Sequence, residues 1–327
     1  MPSEPLVSLR MCVKNGMPYL PEAIASVAAQ SYRRFEVVVQ DGGSTDGSLE
    51  YLQSVNDIPE IRIESRRDDG MGQAANRAVQ RCKGEIIGSI ACDDLLEPEA
   101  LEIAVEAFSA HPDWAAIYGA GHLIAPTGEI ISTHIPEPFD LFDVLQQNLV
   151  PPFATAFFSR RMCGAELRFD ESMKTCGDFD LWLRLSQMTV VALPRVLARI
   201  RISDSSMTCS PENYVQFCAD KIDAVDRFLA RPEHNLWRDS IRRNAVNGIY
   251  LWAAQSIYDL EGRTKLFDYF CQEADEIKPR SVKYRYLMFR VDSCERAKAQ
   301  RGTRWGRFRW RLRGVARRSL GTLSSVL

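Results

Sequence analysis

Between residues 6 and about 133 the sequence alternates short apolar runs with segments of helical periodicity, and this alternation constrains the fold most strongly. Runs such as LVSLRMCV, FEVVVQ and EIIGSI predict buried strands, and the segments between them place apolar residues on one helical face. A repeated order of strand, helix and strand favours a mainly parallel sheet with helices on both faces. Ligands of such sheets bind at the carboxyl ends of the strands.

The predicted pattern of secondary structure changes at about residue 134 and again at about residue 210. In residues 134 to 205 we expect a short helix near DLFDVLQQ, a strand at FATAFFS, a helix from Asp178, and strands at VVALP and LARIRI. After about residue 210, four or five helical patterns follow with no strand pattern between them. The sequence therefore predicts a sheet domain at 1–209 and a helical C-terminal region at 210–327.

Charge distribution and cysteine content indicate the cellular compartment in which the chain works. The formal net charge is −2, yet residues 278 to 318 hold fifteen Lys or Arg against two acidic residues. Nine cysteines, an odd number without a CxxC pair, argue against a disulfide framework and a zinc site. No segment predicts a signal peptide, and no apolar run reaches the roughly 18 residues of a transmembrane helix. We expect a cytoplasmic protein with reduced thiols.

The strand EIIGSI is followed two residues later by Asp93 and Asp94, two like charges beside a predicted core. Adjacent carboxylates repel each other and are costly to desolvate, so a compensating group is expected outside the strand. A Mg²⁺ or Mn²⁺ ion that also binds a diphosphate would compensate them, since these ions need few protein oxygens. The alternative, acidic residues in a first helical turn, explains Asp94 and Glu97 but explains Asp93 poorly.

Three other segments allow both a functional and an ordinary interpretation. In QDGGSTDGS, residues 40–48, Asp41 could bind a base or ribose group, or the segment is a turn before a capped helix. RDDGMGQAANRA, residues 67–78, resembles half of a dinucleotide fingerprint but lacks its third glycine. In CGDFDLWLRLS, residues 176–186, Asp178 either caps a helix or stands ready as a general base.

Together these segments resemble the family 2 glycosyltransferases, inverting enzymes of the GT-A fold that use nucleotide-diphosphate sugars. The resemblance covers roughly residues 6–205. VSLRMCVKNGMPYLPEAIASVAAQSY is similar to the family's first strand and helix, VVVQDGGSTDGSLE to its nucleotide loop, KGEIIGSIACDDLLEPEALE to its DXD segment, and FDESMKTCGDFDLWLRL to its acceptor-side motif. It implies an α/β GT-A fold, a mainly parallel mixed sheet flanked by helices, with a C-terminal helical extension. The nucleotide-binding half would span about 1–95 and the acceptor half about 96–209.

The resemblance also implies roles for individual residues. Asp178 is expected to be the catalytic base, Asp93 the metal ligand, and Asp41 a contact of the nucleobase. The donor-binding residues that it implies are Val13, Asn15, Asp41, Ser44, Asp68, Asn76, Asp93 and Arg201. The acceptor side that it implies consists of Asp94, Asp180 and Trp182. In the implied reaction Asp178 takes the acceptor proton, the hydroxyl attacks the anomeric carbon in line, and a divalent metal stabilises the departing diphosphate.

The sequence departs from the family pattern at several positions. Ala91 replaces the first Asp of DXD, so metal ligation would rest mainly on Asp93. The other departures are Cys12 and Lys14 in the first loop, Gly177 before the base, and Ser203 in place of a histidine. None of them removes the expected base.

The basic end of the chain has its own pattern. QRGTRWGRFRWRLRGVARRSL, residues 300–320, spaces aromatic and apolar residues by three and four, with arginines mostly elsewhere around the helix. Such a helix suits the headgroup region of an anionic membrane, where a lipid-linked acceptor would also lie. The alternative is a helix packed on the protein's own acidic body. Nucleic acid is not an expected partner, because no recognised module accompanies the charge.

We therefore predict a metal-dependent inverting glycosyltransferase, peripheral on the inner face of the cell membrane. The preferred donor is a UDP-sugar, and the acceptor is a glycan or a lipid-linked molecule in bacterial cell-surface polysaccharide or glycoconjugate assembly. One alternative, suggested by Ala91, is a catalytically silent protein that binds sugar nucleotides or serves as a scaffold. A second alternative, a sugar nucleotidyltransferase, lacks the Gly-rich basic N-terminal loop that a triphosphate needs.

Overall fold

A computed structural model describes residues 4–203, 206–232 and 238–301 of the chain. The strands, in chain order, are β1 Val7–Val13, β2 Phe35–Asp41, β3 Ile61–Ser65, β4 Ile86–Ala91, β5 Leu95–Leu96, β6 Ala116–Ile124, β7 Ile130–His134, β8 Ala156–Ser159 and β9 Val190–Arg201. The α-helices are α1 Leu20–Ala28, α2 Ser48–Ser54, α3 Met71–Arg81, α4 Ala100–Ala110, α5 Leu141–Leu145, α6 Arg160–Cys163, α7 Gly177–Leu185, α8 Asn213–Leu229, α9 Arg238–Glu261, α10 Lys265–Ile277 and α11 Val282–Arg301.

The strands form one mixed sheet in the order β3-β2-β1-β4-β8-β6-β9-β5, and β7 pairs with β6 outside this path. The first four strands of the order are mutually parallel. Strand β8 lies antiparallel between β4 and β6, while β6 and β9 are parallel. Because β1, β2 and β4 all run the same way, the segments that follow Val13, Asp41 and Ala91 leave the sheet at one edge. The predicted α/β mixed sheet is confirmed.

Strand β1 separates an apolar layer of the protein from a polar layer. Val7, Leu9, Met11 and Val13 are buried in the main core, which also contains residues of α1 and α4. The alternate residues of β1 lie on the opposite face of the sheet, which α3 covers with the small side chains of Ala74, Ala75 and Ala78. In that layer Ser8 Oγ donates to Glu36 Oε1 at 2.5 Å, and Arg62 pairs with the other oxygen of Glu36. Polar groups can therefore be buried under α3 because they pair with each other.

Strand β9 is continuous where two strands, VVALP and LARIRI, were predicted. Its register against β6 pairs Leu193 with Gly119 and Val196 with Ala120, so Pro194 and Arg195 form a bulge. Proline has no backbone N–H to give to a ladder and is tolerated at such a bulge. The prediction of a break was wrong because the bulge absorbs the proline without ending the strand.

The chain forms two compact units. The first consists of Met1–Phe139 and Pro151–Arg201 and contains the whole sheet. The second consists of Asp140–Val150 and Ile202–Leu327, and its described helices are α5 and α8 to α11. The predicted helical C-terminal region is thus present, while the predicted domain boundary at residue 209 stays a prediction.

The segment 140–150 is held inside the helical unit by buried contacts. Lys283 Nζ donates to the carbonyl oxygen of Gln146 at 2.7 Å, and Lys221 Nζ donates to Gln147 Oε1. Gly248 of α9 packs so closely on the backbone of Gln146 that a Cβ there would clash with the carbonyl oxygen. A segment from the middle of the chain is therefore an integral part of the second unit.

None of the described helices is both long and apolar enough to cross a lipid bilayer. Most of the predicted membrane-surface segment, residues 300–320, lies outside the described residues, which end at residue 301. Its role stays a prediction.

Candidate active site

Two loops at the carboxyl edge of the parallel strands are tied together by hydrogen bonds. Asn15 N donates to Ser44 Oγ at 2.8 Å, and Thr45 N donates to Asn15 Oδ1 at 2.9 Å. Gly42 N donates to the carbonyl oxygen of Val13 at 2.8 Å, directly beside this pair. The structure thus brings Val13, Asn15 and Ser44 together, and it uses their polar groups to fix the two loops against each other.

Asp41 is fully buried at the end of β2, and its carboxylate is occupied by its own surroundings. It accepts hydrogen bonds from Gly43 N at 3.0 Å, from Ser44 Oγ at 2.5 Å and from Ser65 Oγ at 2.6 Å. Burial raises the pKa of Asp41, but these hydrogen bonds outweigh burial and hold its pKa below the ordinary value. In this arrangement Asp41 shapes the loop, and a direct contact with a nucleobase would have to displace one of these donors.

Asp68 lies over the loop that Asp41 shapes. One of its oxygens is 2.7 Å from the place where a Cβ on Gly42 would stand, so only glycine allows this approach. Its other oxygen accepts a hydrogen bond from Gly70 N at 3.2 Å, just before α3. Of the predicted donor residues, Asp68 therefore has a partly exposed carboxylate beside the nucleotide loop.

Asn76 of α3 is engaged in a different way. Its Nδ2 donates to the carbonyl oxygen of Phe169 at 2.9 Å, and its Oδ1 accepts from Phe169 N at 2.8 Å. Nδ2 also donates to Glu171 Oε1 at 2.9 Å. The predicted donor residue Asn76 therefore clamps the segment 169–171 onto α3.

Asp93 and Asp94 follow β4 but have different surroundings. Asp94 is buried, and its Oδ1 accepts a hydrogen bond from Arg201 N at 2.9 Å. Burial and the neighbouring Asp93 charge raise the pKa of Asp94 to about 7, although the amide and charge of Arg201 lower it. Asp93 is half-buried, and among the described residues its carboxylate has no hydrogen-bond donor except its own backbone amide. Asp94 therefore joins the turn to β9, and the carboxylate of Asp93 is available to a ligand.

Arg201, predicted to contact the donor, is completely buried at its side chain. Its Nε donates to the carbonyl oxygen of Asp93 at 3.0 Å, and an Nη donates to the carbonyl oxygen of Pro126 at 2.8 Å. The other Nη pairs with Glu22 Oε2 at 2.6 Å, and the guanidinium lies over the ring of Tyr19. The physical role that the structure gives Arg201 is to position the turn that carries Asp93, because no donor group faces solvent.

Asp178 stands in the first turn of α7 and is half-buried. Its Oδ1 accepts a hydrogen bond from the adjacent Phe179 N at 2.8 Å, and no described side chain pairs with its carboxylate. The N-cap residue, Cys176, makes no side-chain capping bond. The position therefore combines a helix N-terminus, which favours a carboxylate, with an oxygen that can accept a proton.

Asp180 and Trp182, the two other residues of α7 that were predicted on the acceptor side, have structural roles. Asp180 is buried and pairs with Arg184 at 2.8 Å, and Arg184 also pairs with Glu166 at 3.2 Å. Trp182 is 1% exposed and lies among aromatic rings, with its ring centroid 5.5 Å from that of Phe158. Neither Asp180 nor Trp182 presents a free surface to an acceptor, since α7 is buried on all sides from Phe179 to Leu185.

A chain of contacts places Asp178 on the α3 side of the sheet. Phe169 Cδ1 lies 3.1 Å from the place where a Cβ on Gly177 would stand, one residue before Asp178. The ring of Phe169 in turn lies 4.7 Å from the guanidinium carbon of Arg10 in β1. Asp170 and Glu171, next along the chain, pack on Gly72 in the first turn of α3. The start of α7 thus lies on the same side of the sheet as the start of α3, and Phe169 joins it to β1, the strand that pairs with β4.

A divalent cation fits this site only if the donor supplies most of its ligands. Among the described residues there is no group of three or more His, Cys, Asp or Glu side chains that could hold a metal. Asp93 offers one unoccupied carboxylate, while Ala91 offers none. Mg²⁺ and Mn²⁺ are commonly held by one or two carboxylates together with substrate phosphates and water, so a single Asp is compatible with such an ion.

Sequence reasoning missed Arg10 and Ser65. Ser65 closes the hydrogen-bond set of Asp41, but a serine at the end of a strand carries no distinguishing signal. Arg10 did carry a signal, since it is a charged residue in the middle of the otherwise apolar run LVSLRMCV. A charge at such a position needs a reason, because burial of an unpaired charge is unfavourable.

Comparison with known proteins agrees with this geometry. A sequence model described as Glycosyl transferase family 2 matches residues 8–163, which include the loops after β1, β2 and β4. The chain belongs to glycosyl transferase family 2. The predicted family is confirmed.

The curated relatives of this family 2 member are larger proteins. The chondroitin synthase of Escherichia coli is 31% identical over 71% of this chain, which covers 35% of that protein. The hyaluronan synthase of Pasteurella multocida is 29% identical over 56% of this chain and 19% of that protein. The chain therefore spans about a third or less of the length of these relatives.

Solved structures show the same fold for this family 2 chain. Staphylococcus aureus TarS 1–349 in complex with UDP-GlcNAc has a TM-score of 0.62 at 17% identity, with 88% of each chain covered. The mannosyltransferase PcManGT from Pyrobaculum calidifontis, in complex with GDP-Man and Mn²⁺, has a TM-score of 0.55 at 16% identity. That match covers 88% of this chain and 86% of PcManGT. The predicted GT-A fold is confirmed.

Proposed function

We propose that this protein transfers a sugar from a nucleotide-diphosphate donor, with UDP preferred, to a hydroxyl of a glycan or lipid-linked acceptor. Transfer would invert the anomeric configuration and depend on Mn²⁺ or Mg²⁺. Family membership supports the transfer reaction, and the TarS complex with UDP-GlcNAc supports a nucleotide sugar as donor. The relatives named for chondroitin and hyaluronan synthesis support a role in polysaccharide or glycoconjugate assembly.

One observation carries the mechanism: the acidic motif residues divide into occupied and unoccupied carboxylates. Asp41, Asp94 and Asp180 each accept hydrogen bonds or ion pairs from neighbouring elements. Asp93 and Asp178 have no partner among the described residues beyond a backbone amide of their own turn. A carboxylate that is half-buried and unpaired is suited to bind a ligand or a proton, so these two are the reactive pair.

In the proposed reaction Asp178 orients the acceptor hydroxyl by accepting its hydrogen bond. As the hydroxyl oxygen attacks the anomeric carbon, its proton passes to Asp178, the bond from that carbon to the diphosphate oxygen breaks, and the nucleoside diphosphate leaves. Attack on the face opposite the leaving group inverts the configuration. A cation bound by Asp93 would neutralise charge on the leaving diphosphate. Arg201 contributes by fixing the backbone of Asp93.

The base assignment is tested by Asp178→Asn, which keeps the shape of the side chain but cannot take a proton. General base catalysis is typically worth about 10²- to 10⁴-fold, so we expect kcat to fall by about that factor while the Kd for UDP stays unchanged. Asp113→Asn, at an exposed carboxylate on the loop before β6, is the matched control. Unchanged transfer by Asp178→Asn would refute the mechanism.

The donor and metal assignments are tested together by thermal shift. Ligands that bind only the native state raise Tm, so UDP-, GDP- and dTDP-sugars are compared with and without Mn²⁺. We expect Mn²⁺ to increase the shift caused by a UDP-sugar, and Asp93→Asn to remove that increase. A full UDP-sugar shift that is indifferent to Mn²⁺ in the unmodified protein would contradict the metal dependence.

A cytoplasmic position on the inner face of the membrane is part of the proposal. It is supported by the basic, aromatic sequence of residues 300–320. Truncation after residue 299 should abolish binding to vesicles that contain phosphatidylglycerol while leaving the sheet unit folded, as its thermal unfolding transition would show, with phosphatidylcholine vesicles as control. Retained binding would refute this anchor and favour packing of the segment on the protein itself.

The competing candidate is a catalytically silent sugar-nucleotide-binding protein. Ala91, exposed at the end of β4 where the family places an acidic residue, is the observation that favours it. Such a protein would show the thermal shift with a donor but release no nucleoside diphosphate with any acceptor. Release of UDP that depends on Asp178 would exclude it.

A further inference from the structure

Arg10 is a charged residue at the centre of a buried parallel strand. It lies in β1 between Val38 of β2 and Ser89 of β4, and it is 7% exposed. Its side chain is on the face that α3 covers, the same face as Ser8 and Cys12.

The guanidinium of Arg10 is held by aromatic rings and a thiol. Its carbon atom lies 4.7 Å from the ring centroid of Phe169 and 5.2 Å from that of Phe153. One nitrogen donates to Cys12 Sγ at 3.7 Å. Within the described part of the chain, no carboxylate forms an ion pair with Arg10. The rings fix the plane of the group and leave most of its five N–H donors without a strong acceptor.

Other buried arginines of the sheet unit show how unusual this is. Arg184 pairs with Asp180 and Glu166, and Arg201 pairs with Glu22 and donates to backbone carbonyls. A buried charge is costly unless it is paired and hydrogen-bonded, and cation–π contacts offset only part of that cost. The guanidinium of Arg10 therefore has N–H donors with which it can bind an anion.

The position of Arg10 relates this capacity to the proposed donor site. Phe169, which lies on the guanidinium, also packs on Gly177 beside the proposed base Asp178. Cys12 is the next residue on this face toward the carboxyl end of β1. Burial raises the pKa of Cys12, and Arg10 lowers it. The charge of Asp68 also raises the pKa of Cys12, so Asp68 lies near this thiol. Phe169 thus connects the guanidinium to the start of α7, and Cys12 connects it to the end of β1 near Asp68.

We propose that Arg10 binds a carboxylate on the transferred sugar, so that the donor is a nucleotide-diphosphate uronic acid. A planar guanidinium pairs with a planar carboxylate through two parallel hydrogen bonds, and the two phenylalanine rings hold Arg10 in one plane for that pairing. A neutral hexose in the same place would bring a hydroxymethyl group, which leaves the buried charge uncompensated. This inference rests on the proposed function, because it names the substrate class of the same site.

Matched donors test the inference in the full chain with Mn²⁺. UDP-glucuronic acid is compared with UDP-glucose, and UDP-galacturonic acid with UDP-galactose, since each pair differs only at carbon 6. We expect the Kd from isothermal titration to be at least ~10-fold lower for the uronate of one pair, as a site built around a charged hydrogen bond discriminates strongly. Arg10→Met should remove this preference and leave the Kd for UDP alone within ~2-fold. Arg34→Met, at an exposed arginine before the amino end of β2, should keep the preference.

The outcomes separate this inference from the proposed function. UDP, GDP and dTDP are titrated first; if none binds, the proposed function fails, and if another nucleotide binds better, the matched pairs carry that nucleotide. Normal nucleotide binding with no preference for either uronate overturns the role of Arg10 alone. Retention of the preference in Arg10→Met overturns it too. Should that variant fail to fold, Arg10→Lys, which keeps the charge but lacks the planar fork, replaces it, and the donor comparison in the unmodified protein still decides.

Discussion

Replacing Arg201 by methionine should destabilise the protein far more than the same change two residues earlier in β9. Arg201 has no exposed side-chain surface, and its guanidinium contacts Asp93, Pro126, Glu22 and Tyr19. Methionine keeps much of the volume of the side chain but provides no hydrogen-bond donor. The change therefore isolates the polar contribution of the guanidinium.

The magnitude follows from the groups that lose their donor. The carbonyl oxygens of Asp93 and Pro126 accept at 3.0 and 2.8 Å, and a buried acceptor left without a partner costs about 1–3 kcal/mol. The contact with the ring of Tyr19 adds about 0.5–2 kcal/mol. Glu22 is 58% exposed at its side chain and regains water, so loss of its ion pair adds little. The expected loss is about 2.5–8 kcal/mol of unfolding free energy, a large part of the 5–15 kcal/mol of a typical domain.

Urea denaturation followed by circular dichroism measures this loss, with Arg199→Met as the matched control. Arg199 pairs with Glu97 at 2.7 Å, but its side chain is 40% exposed, so its replacement should cost about 1 kcal/mol or less. Arg201→Met should also weaken binding of a UDP-sugar with Mn²⁺, since the turn that carries Asp93 loses its anchor. If the two variants differ by less than about 1 kcal/mol, the argument from buried acceptors is wrong.

Three further predictions concern the sheet unit. Gly42→Ala would place a methyl group 2.7 Å from an oxygen of Asp68, so the Asp68 side chain must move. The Kd for UDP should therefore rise about tenfold with little change in Tm. An unchanged Kd from titration would contradict the assignment of Asp68 as a residue that contacts the donor. Burial raises the pKa of Glu36, but hydrogen bonds from Ser8, Lys83 N and Arg62 hold it below the ordinary value. Glu36 therefore stabilises the fold at neutral pH, this stabilisation is lost as the pH falls below about 4, and Glu36→Gln should flatten the acid side of the stability curve. Trp182→Leu should cost about 2–4 kcal/mol in urea denaturation; loss of acceptor affinity without destabilisation would instead support an acceptor contact.

The sequence was sufficient to predict the fold class because the apolar periodicity and the positions of turn-forming residues agree along most of the chain. Runs such as FEVVVQ form strands, and the segments between them form helices, as their apolar spacing indicates. The antiparallel insertion of β8 between β4 and β6 was not predicted, because strand order depends on long-range pairing that no local pattern encodes. The continuous strand β9 was missed for a different reason: the effect of Pro194 depends on whether the neighbouring strand can accommodate a bulge.

The candidate site was harder to predict, because residue type does not determine how a charge is paired. Asp93 and Asp94 are identical in type and adjacent in sequence, yet only Asp94 is covered by the backbone of β9. Arg201 was expected at the donor and is instead buried behind Asp93, since its partners come from three distant parts of the chain. Side-chain roles of this kind become visible only when the partners of each polar atom are known.

The interleaving of the two units limits how this protein can be engineered. The helical unit receives residues 140–150 from between two strands of the sheet, and Lys283 of α11 holds the backbone of that segment. A chimera that exchanged everything after residue 202 would leave residues 140–150 packed against helices from another protein. The carbonyl oxygen of Gln146 would then lose its hydrogen bond from Lys283. Recombination between relatives should therefore succeed only when the short internal stretch and the distant tail are inherited together from one parent.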